Sequence, residues 1–146
     1  YVYGENDVPT RLIPKVFESC LKKNKIVLNS CESKVDYLYI NDFVEAVSLL
    51  VENNHVGVFN ICSGKEYRVK DVVESIKRIC RFEGEVVFDP KKDRKQVPIY
   101  ICGDNSKLKD KLSWSPKYEL SEGLSLMRDY YIRNQYYKDM FLKGIH

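Results

Sequence analysis

Apolar positions recur at helical intervals over Leu12, Ile13, Val16, Phe17, Cys20 and Leu21, which predicts an amphipathic helix with Pro14 tolerated in its first turn. Lys22, Lys23 and Lys25 suit the C-terminus of that helix. Short runs of branched and aromatic residues at Ile26–Leu28 and Asp36–Ile40 predict two strands. Asn41-Asp42 reads as a cap for a second helix whose buried face is expected to carry Phe43, Val44, Ala46, Val47, Leu49, Leu50 and Val51. The run 56–62 reads as a buried strand closed by the turn Ser63-Gly64. A third helix is expected from about Val69 to Arg81, with Val72, Val73, Ile76 and Ile79 on one face and Gly84 ending it. The rest reads as a strand at 85–88, a charged loop at 91–97 and an extended piece at 98–102. A short helix ending in Trp114-Ser115-Pro116 follows, then a long helix from Ser121 to about Phe141. Residues 1–9 read as turn. Strands and helices alternate, so the pattern predicts an α/β fold.

Composition narrows the function. The chain of 146 residues is long enough for one domain with a core, and its 44% hydrophobic and 31% charged residues are those of a globular protein. No apolar run approaches the ~20 residues of a membrane span. The net charge of +3 is too mild to argue for nucleic acid, and the tyrosine-rich stretch from Tyr130 to Tyr137 has a helical setting rather than a strand-borne stacking motif. Five cysteines with no CxxC spacing and only two histidines argue against a zinc site and for free thiols in a reducing cytoplasm. The first residue is not Met, so Tyr1 reads as the start of a fragment or a processed chain.

Four motifs in order carry a resemblance. Tyr1-Val2-Tyr3-Gly4 with Arg11-Leu12-Ile13-Pro14 resembles an "NVYGP…LIP" segment. Asp36 to Ala46 is similar to "RDFIYVDDVVEA", Phe59 to Gly64 to "YNIGSG", and Gly103 to Pro116 to "GDNSKLK…LGWxP". Together they resemble the extended short-chain dehydrogenases that act as nucleotide-sugar epimerases, dehydratases and reductases. The spacing of Asp89-Pro90, Arg94, Val97-Pro98 and Gly103-Asp104 looks most like the branch acting on GDP-linked 4-keto-6-deoxyhexoses. The residues at 3–7 and 34–36 look closer to sugar 4-reductases and epimerases. Trp114 is then expected to be a packing anchor at a corner.

The resemblance implies an NAD- or NADP-dependent enzyme and a nucleotide-diphosphate sugar as substrate. In such enzymes a Gly-rich turn holds the cofactor pyrophosphate, and a Tyr with a Lys four residues on handles the proton. None of the seven glycines falls in GxGxxG, and none of the eleven tyrosines has a Lys at that spacing. The chain is therefore expected to be the C-terminal portion of a Rossmann-type enzyme, with the last sheet strands and a small substrate-binding α/β domain. It is expected to be inactive alone, with any homodimer formed through the other half. The resemblance places Arg11, Asn60 and Arg94 at the substrate, the arginines because their forked guanidinium suits phosphate oxygens, and Lys34 is expected there in compensation for an arginine missing at the next position. It places Tyr3 and Gly4 beside the cofactor. Val35 stands where the family usually has an arginine. A stand-alone nucleotide-sugar binding module and a purely structural domain are the competing readings.

Overall fold

The computed structural model describes residues 1–93 and 99–142, with side chains through residue 134. In chain order its elements are β1 (Val2–Tyr3), α1 (Leu12–Leu21), β2 (Ile26–Leu28), β3 (Lys34–Asp36), β4 (Leu38–Tyr39), α2 (Ile40–Glu52) and β5 (Glu66–Arg68). They continue with α3 (Val69–Ile79), β6 (Val86–Phe88), a 3-10 turn (Pro90–Lys92), β7 (Tyr100–Ile101), α4 (Ser106–Leu112) and α5 (Leu120–Leu142). The strands pair in three small sheets: β1 with β4, β2 with β6, and β5-β3-β7. All pairs are parallel except β3 with β5. This is the expected α/β class.

The helices form where the periodicity places them. Pro14 sits in the first turn of α1, where a missing N–H costs nothing, and α1 buries Ile13, Pro14, Val16, Phe17 and Cys20. Helix α3 buries Val72, Val73 and Ile76 and packs on α1 and α5. Burying a side chain the size of Phe17 contributes about 1.5–3 kcal/mol, and Phe17 is fully enclosed. A second, smaller core joins Leu38, Ala46, Leu108 and Trp114, so Trp114 is the packing anchor expected of it. Successive residues of a strand point to opposite faces. Leu38 accordingly enters the small core and Tyr39 the large one.

Several expectations need correction. Residues 1–9 are not all turn, because Val2 and Tyr3 pair in register with Leu38 and Tyr39. The strand expected at 36–40 is two strands in different sheets, broken at Tyr37, and Ile40 already belongs to α2. Asn41-Asp42 does not cap α2: the cap position is Tyr39, with no side-chain hydrogen bond. Buried Asp42 instead accepts from the backbone N–H groups of Lys117 (2.9 Å) and Tyr118 (3.2 Å), pinning the chain just past Pro116. The face of α2 carrying Val44, Val47 and Val51 is exposed rather than buried. The segment 56–62 is not a strand, because among the described residues no neighbouring strand pairs with it; Val56 and Val58 are 94% and 83% exposed. Arg81, not Gly84, takes the left-handed position after α3, at φ 50°.

Candidate functional site

One buried carboxylate sets the frame. Asp36, the last residue of β3, is enclosed and accepts from Ser63 N (2.9 Å), Ser63 Oγ (2.6 Å), Gly64 N (2.9 Å) and Gly103 N (3.2 Å). A buried carboxylate is tolerated only when its lone pairs are satisfied in this way. Asp36 therefore ties β3 to the 63–64 turn and to the start of the 103–116 corner. Sequence reasoning took it as an ordinary strand residue. The available signal was a lone carboxylate inside Val35-Asp36-Tyr37-Leu38, with glycines at 64 and 103 to free their N–H groups.

Beside this hub lies a cleft of about 480 Å³. Its apolar walls come from Val35 of β3 and from Leu12 and Val69, the first residues of α1 and α3. Tyr1 and Tyr37 add aromatic surface and pack on each other at 6.2 Å. The rim is the 29–33 loop with Asp93 and Ile99. Ser30 N donates to Asp93 Oδ1 (2.8 Å), fastening the loop to the residue before Arg94. Cys31 and Ser33 carbonyls accept from Lys70 N and Val69 N, so the N-terminal donors of α3 brace the loop. Burial pushes the Tyr37 hydroxyl up to about 12 and the Cys31 thiol up to about 11, so both are neutral at physiological pH. A second cavity, of about 500 Å³, lies between the 6–9 segment, α1 and α5; its walls carry Asp7, Glu18 and Lys22, where those of the cleft carry Glu32 and Asp93.

The cleft gathers some of the expected residues and not others. Arg11 directly precedes Leu12 at the cleft wall; its exposed guanidinium pairs with Asp7 at 3.1 Å. Lys34 lies between Ser33 and Val35, but its side chain takes the opposite face of β3 and pairs with Glu66 at 2.8 Å. Such exposed pairs are worth at most about 1 kcal/mol and exchange readily for a better anion. Asn60 stands elsewhere: its side chain donates to the Asp104 carbonyl at 3.3 Å. Arg94 lies outside the described residues. Tyr3 is buried, its hydroxyl donating to the Leu120 carbonyl at 3.3 Å, and burial pushes its pKa well above the usual tyrosine range. Gly4 packs so closely on Ile40 that a Cβ there would overlap the Ile40 side chain. That contact accounts for the glycine as a packing requirement. Tyr3 and Gly4 are thus held by packing within this chain, whose sequence has no Gly-rich turn to hold a cofactor pyrophosphate. Ser30, Ser33, Tyr37 and Val69 were not anticipated as site residues; they belong to elements brought together only by the fold.

The α/β chain thus holds an apolar and aromatic cleft at the strand-to-helix junctions of β3, α1 and α3. A family profile described as GDP-mannose 4,6 dehydratase matches residues 2–127. A curated relative is the trifunctional UDP-glucose 4,6-dehydratase, UDP-4-keto-6-deoxy-D-glucose 3,5-epimerase and UDP-4-keto-L-rhamnose reductase of Arabidopsis thaliana, 33% identical over 91% of this chain and 20% of its own. Among solved structures, the UDP-glucose 4-epimerase of Thermotoga maritima with UDP-glucose superposes with a TM-score of 0.82 at 30% identity, over 92% of this chain and 44% of its own. RMD of Pseudomonas aeruginosa, complexed with NADPH, shares the fold with a TM-score of 0.81 at 19% identity, over 91% of this chain and 46% of its own. Other solved neighbours hold NAD. The chain belongs to the extended short-chain dehydrogenase/reductase family of NAD-dependent nucleotide-sugar epimerases and dehydratases. It spans less than half the length of the curated relatives it matches.

Proposed function

We propose that this chain is the C-terminal, substrate-binding portion of an NAD(P)-dependent nucleotide-sugar 4-reductase, epimerase or dehydratase, and that its cleft receives the nucleotide. The observation that carries the reading is the cleft's division of labour. Leu12, Val35, Val69, Tyr1 and Tyr37 offer apolar and aromatic surface to a base, while Arg11 directly precedes Leu12 at one wall. A guanidinium at that edge suits the diphosphate, and the resemblance assigns Arg94 the same role. Lys34, on the other face of β3, and Asn60, beside Asp104, would meet a substrate only where it extends past the cleft. Relatives bound to UDP-glucose and to NADPH support the same substrate and cofactor classes.

The proton-handling Tyr and Lys and the Gly-rich turn are absent from this sequence. The chemistry is thus assigned to a cofactor-binding half that would complete the enzyme and carry Tyr3 and Gly4 to the nicotinamide. Homodimer formation is assigned to that half as well. The free thiols of all five cysteines support a reducing compartment, the cytoplasm.

Calorimetric titration of the chain with UDP-glucose and with GDP-mannose tests the proposal. Binding of at least one is expected, with no turnover in the presence of NAD or NADPH. Arg94→Ala is expected to weaken binding about tenfold or more, the value of a charge-assisted hydrogen bond. Absence of binding to both, or turnover by the 146-residue chain, overturns it.

A further inference from the structure

Among the described residues, one enclosed side-chain nitrogen or oxygen has no hydrogen-bond partner: the indole Nε1 of Trp114. The residue is only 3% exposed. An enclosed N–H without an acceptor is costly, so such donors in folded proteins are nearly always partnered. Trp114 lines a further cavity, of about 230 Å³, formed by the 63–67 segment, α4 and the 114–120 corner. An acceptor for the indole can stand there.

The walls of this cavity are held by contacts within the chain. Asn105, at the start of α4, donates through Nδ2 to the carbonyls of Cys62 (3.0 Å) and Ser63 (3.3 Å). Buried Asp42 holds the corner through the N–H groups of Lys117 and Tyr118. Lys65 and Glu119, both on the walls, form an ion pair, and the Tyr67 hydroxyl donates to Glu119 Oε2 at 3.5 Å. The wall charges do not balance: two ammonium groups, Lys65 and Lys109, face one carboxylate, Glu119. The bond to Lys65 holds the Glu119 carboxyl below its usual range, so it is ionised and spent on that lysine. Lys109 makes no ion pair among the described residues. The groups left over, the Trp114 N–H and the Lys109 ammonium, are both donors.

We propose that this cavity is a second binding site, for a small oxyanion, a carboxylate or a phosphate, whose oxygens accept from Trp114 Nε1 and from Lys109. Charge-assisted bonds of this kind are the strong ones. The cavity has less than half the volume of the nucleotide cleft, which fits it to a small anion rather than to a nucleotide. Nothing in the proposed reaction uses it. Tyr37 lines both spaces, so the two sites share one side chain.

Trp114 is the only tryptophan of the chain, so its indole gives a single N–H signal in a proton–nitrogen correlation spectrum. The test follows that signal during titration with inorganic phosphate and, separately, with acetate, each against sodium chloride at matched pH and ionic strength. A saturable shift of the indole, together with the amides of Ser63, Asn105 and Ser115, is expected with at least one of the two and not with chloride. Response to phosphate alone identifies a phosphate ligand, and response to acetate alone a carboxylate; response to both identifies a site for either. Lys109 is exposed, and Lys109→Gln is expected to keep the spectrum of the folded chain and to weaken binding about tenfold, the value of one charge-assisted hydrogen bond. An indole signal that neither probe moves, a shift that chloride reproduces, or unchanged affinity in Lys109→Gln would each overturn the proposal. The titration contains no nucleotide, so its outcome is independent of the cleft's function.

Discussion

Asp36 and Asp42 are both buried, and both spend their oxygens on backbone N–H groups from distant segments. This makes them joints rather than acids or bases. Asp36 holds three donors from two segments besides the Ser63 hydroxyl, and its removal would strand them away from water. Each stranded donor costs about 1–3 kcal/mol, so Asp36→Ala is expected to lower stability by about 3 kcal/mol or more in urea unfolding. A change below about 1 kcal/mol would show that the hub is not load-sharing in solution. Tyrosines supply a pH signature. Burial raises Tyr3 and Tyr37, and burial together with the hydrogen bond to Glu5 raises Tyr39. The folded chain therefore keeps phenolic protons that the unfolded chain releases near pH 10. Stability is expected to be unaffected by these groups below that pH and to fall as pH rises above it, because the unfolded state then binds fewer protons. Urea midpoints that hold constant from about pH 8 to about pH 11 would contradict this.

At the scale of elements, the long periodic helices were legible and the short strands were not. Helices α1, α3 and α5 fall close to their predicted ranges because apolar spacing is a local property. Strand pairing is not local. The two residues of β1 gain their identity only from β4, and the division of 34–39 between two sheets depends on partners far along the chain. The same reasoning failed in the other direction at 56–62 and on α2. There, apolar residues were assigned to a core, yet Val44, Val51, Val56 and Val58 stand exposed. Under the proposal that a cofactor-binding half completes the enzyme, this face is where further structure would pack. Val56→Ser with Val58→Ser is then expected to change the stability of this chain by no more than about 0.5 kcal/mol. A much larger loss would mean that these valines are already buried by self-association.

For the whole molecule, the ordered motifs gave the family correctly, since their spacing records a complete substructure that the fold reproduces. The candidate site was less legible. Arg11 was named from the resemblance at a helix start, whereas Tyr37, Val69 and the 29–33 loop meet only after β3, α1 and α3 assemble. Lys34 shows the limit clearly: one residue along a strand separates the cleft face from its reverse. The central claim is that this cleft, and not the cavity between α1 and α5, takes the nucleotide. Amide chemical-shift mapping of the chain during titration with UDP-glucose and GDP-mannose tests it directly. Shifts concentrated at Ser30–Ser33, Val35, Tyr37, Val69 and Asp93 are predicted. Shifts centred on Asn6, Glu18 and Tyr131, or none at saturating ligand, would contradict it.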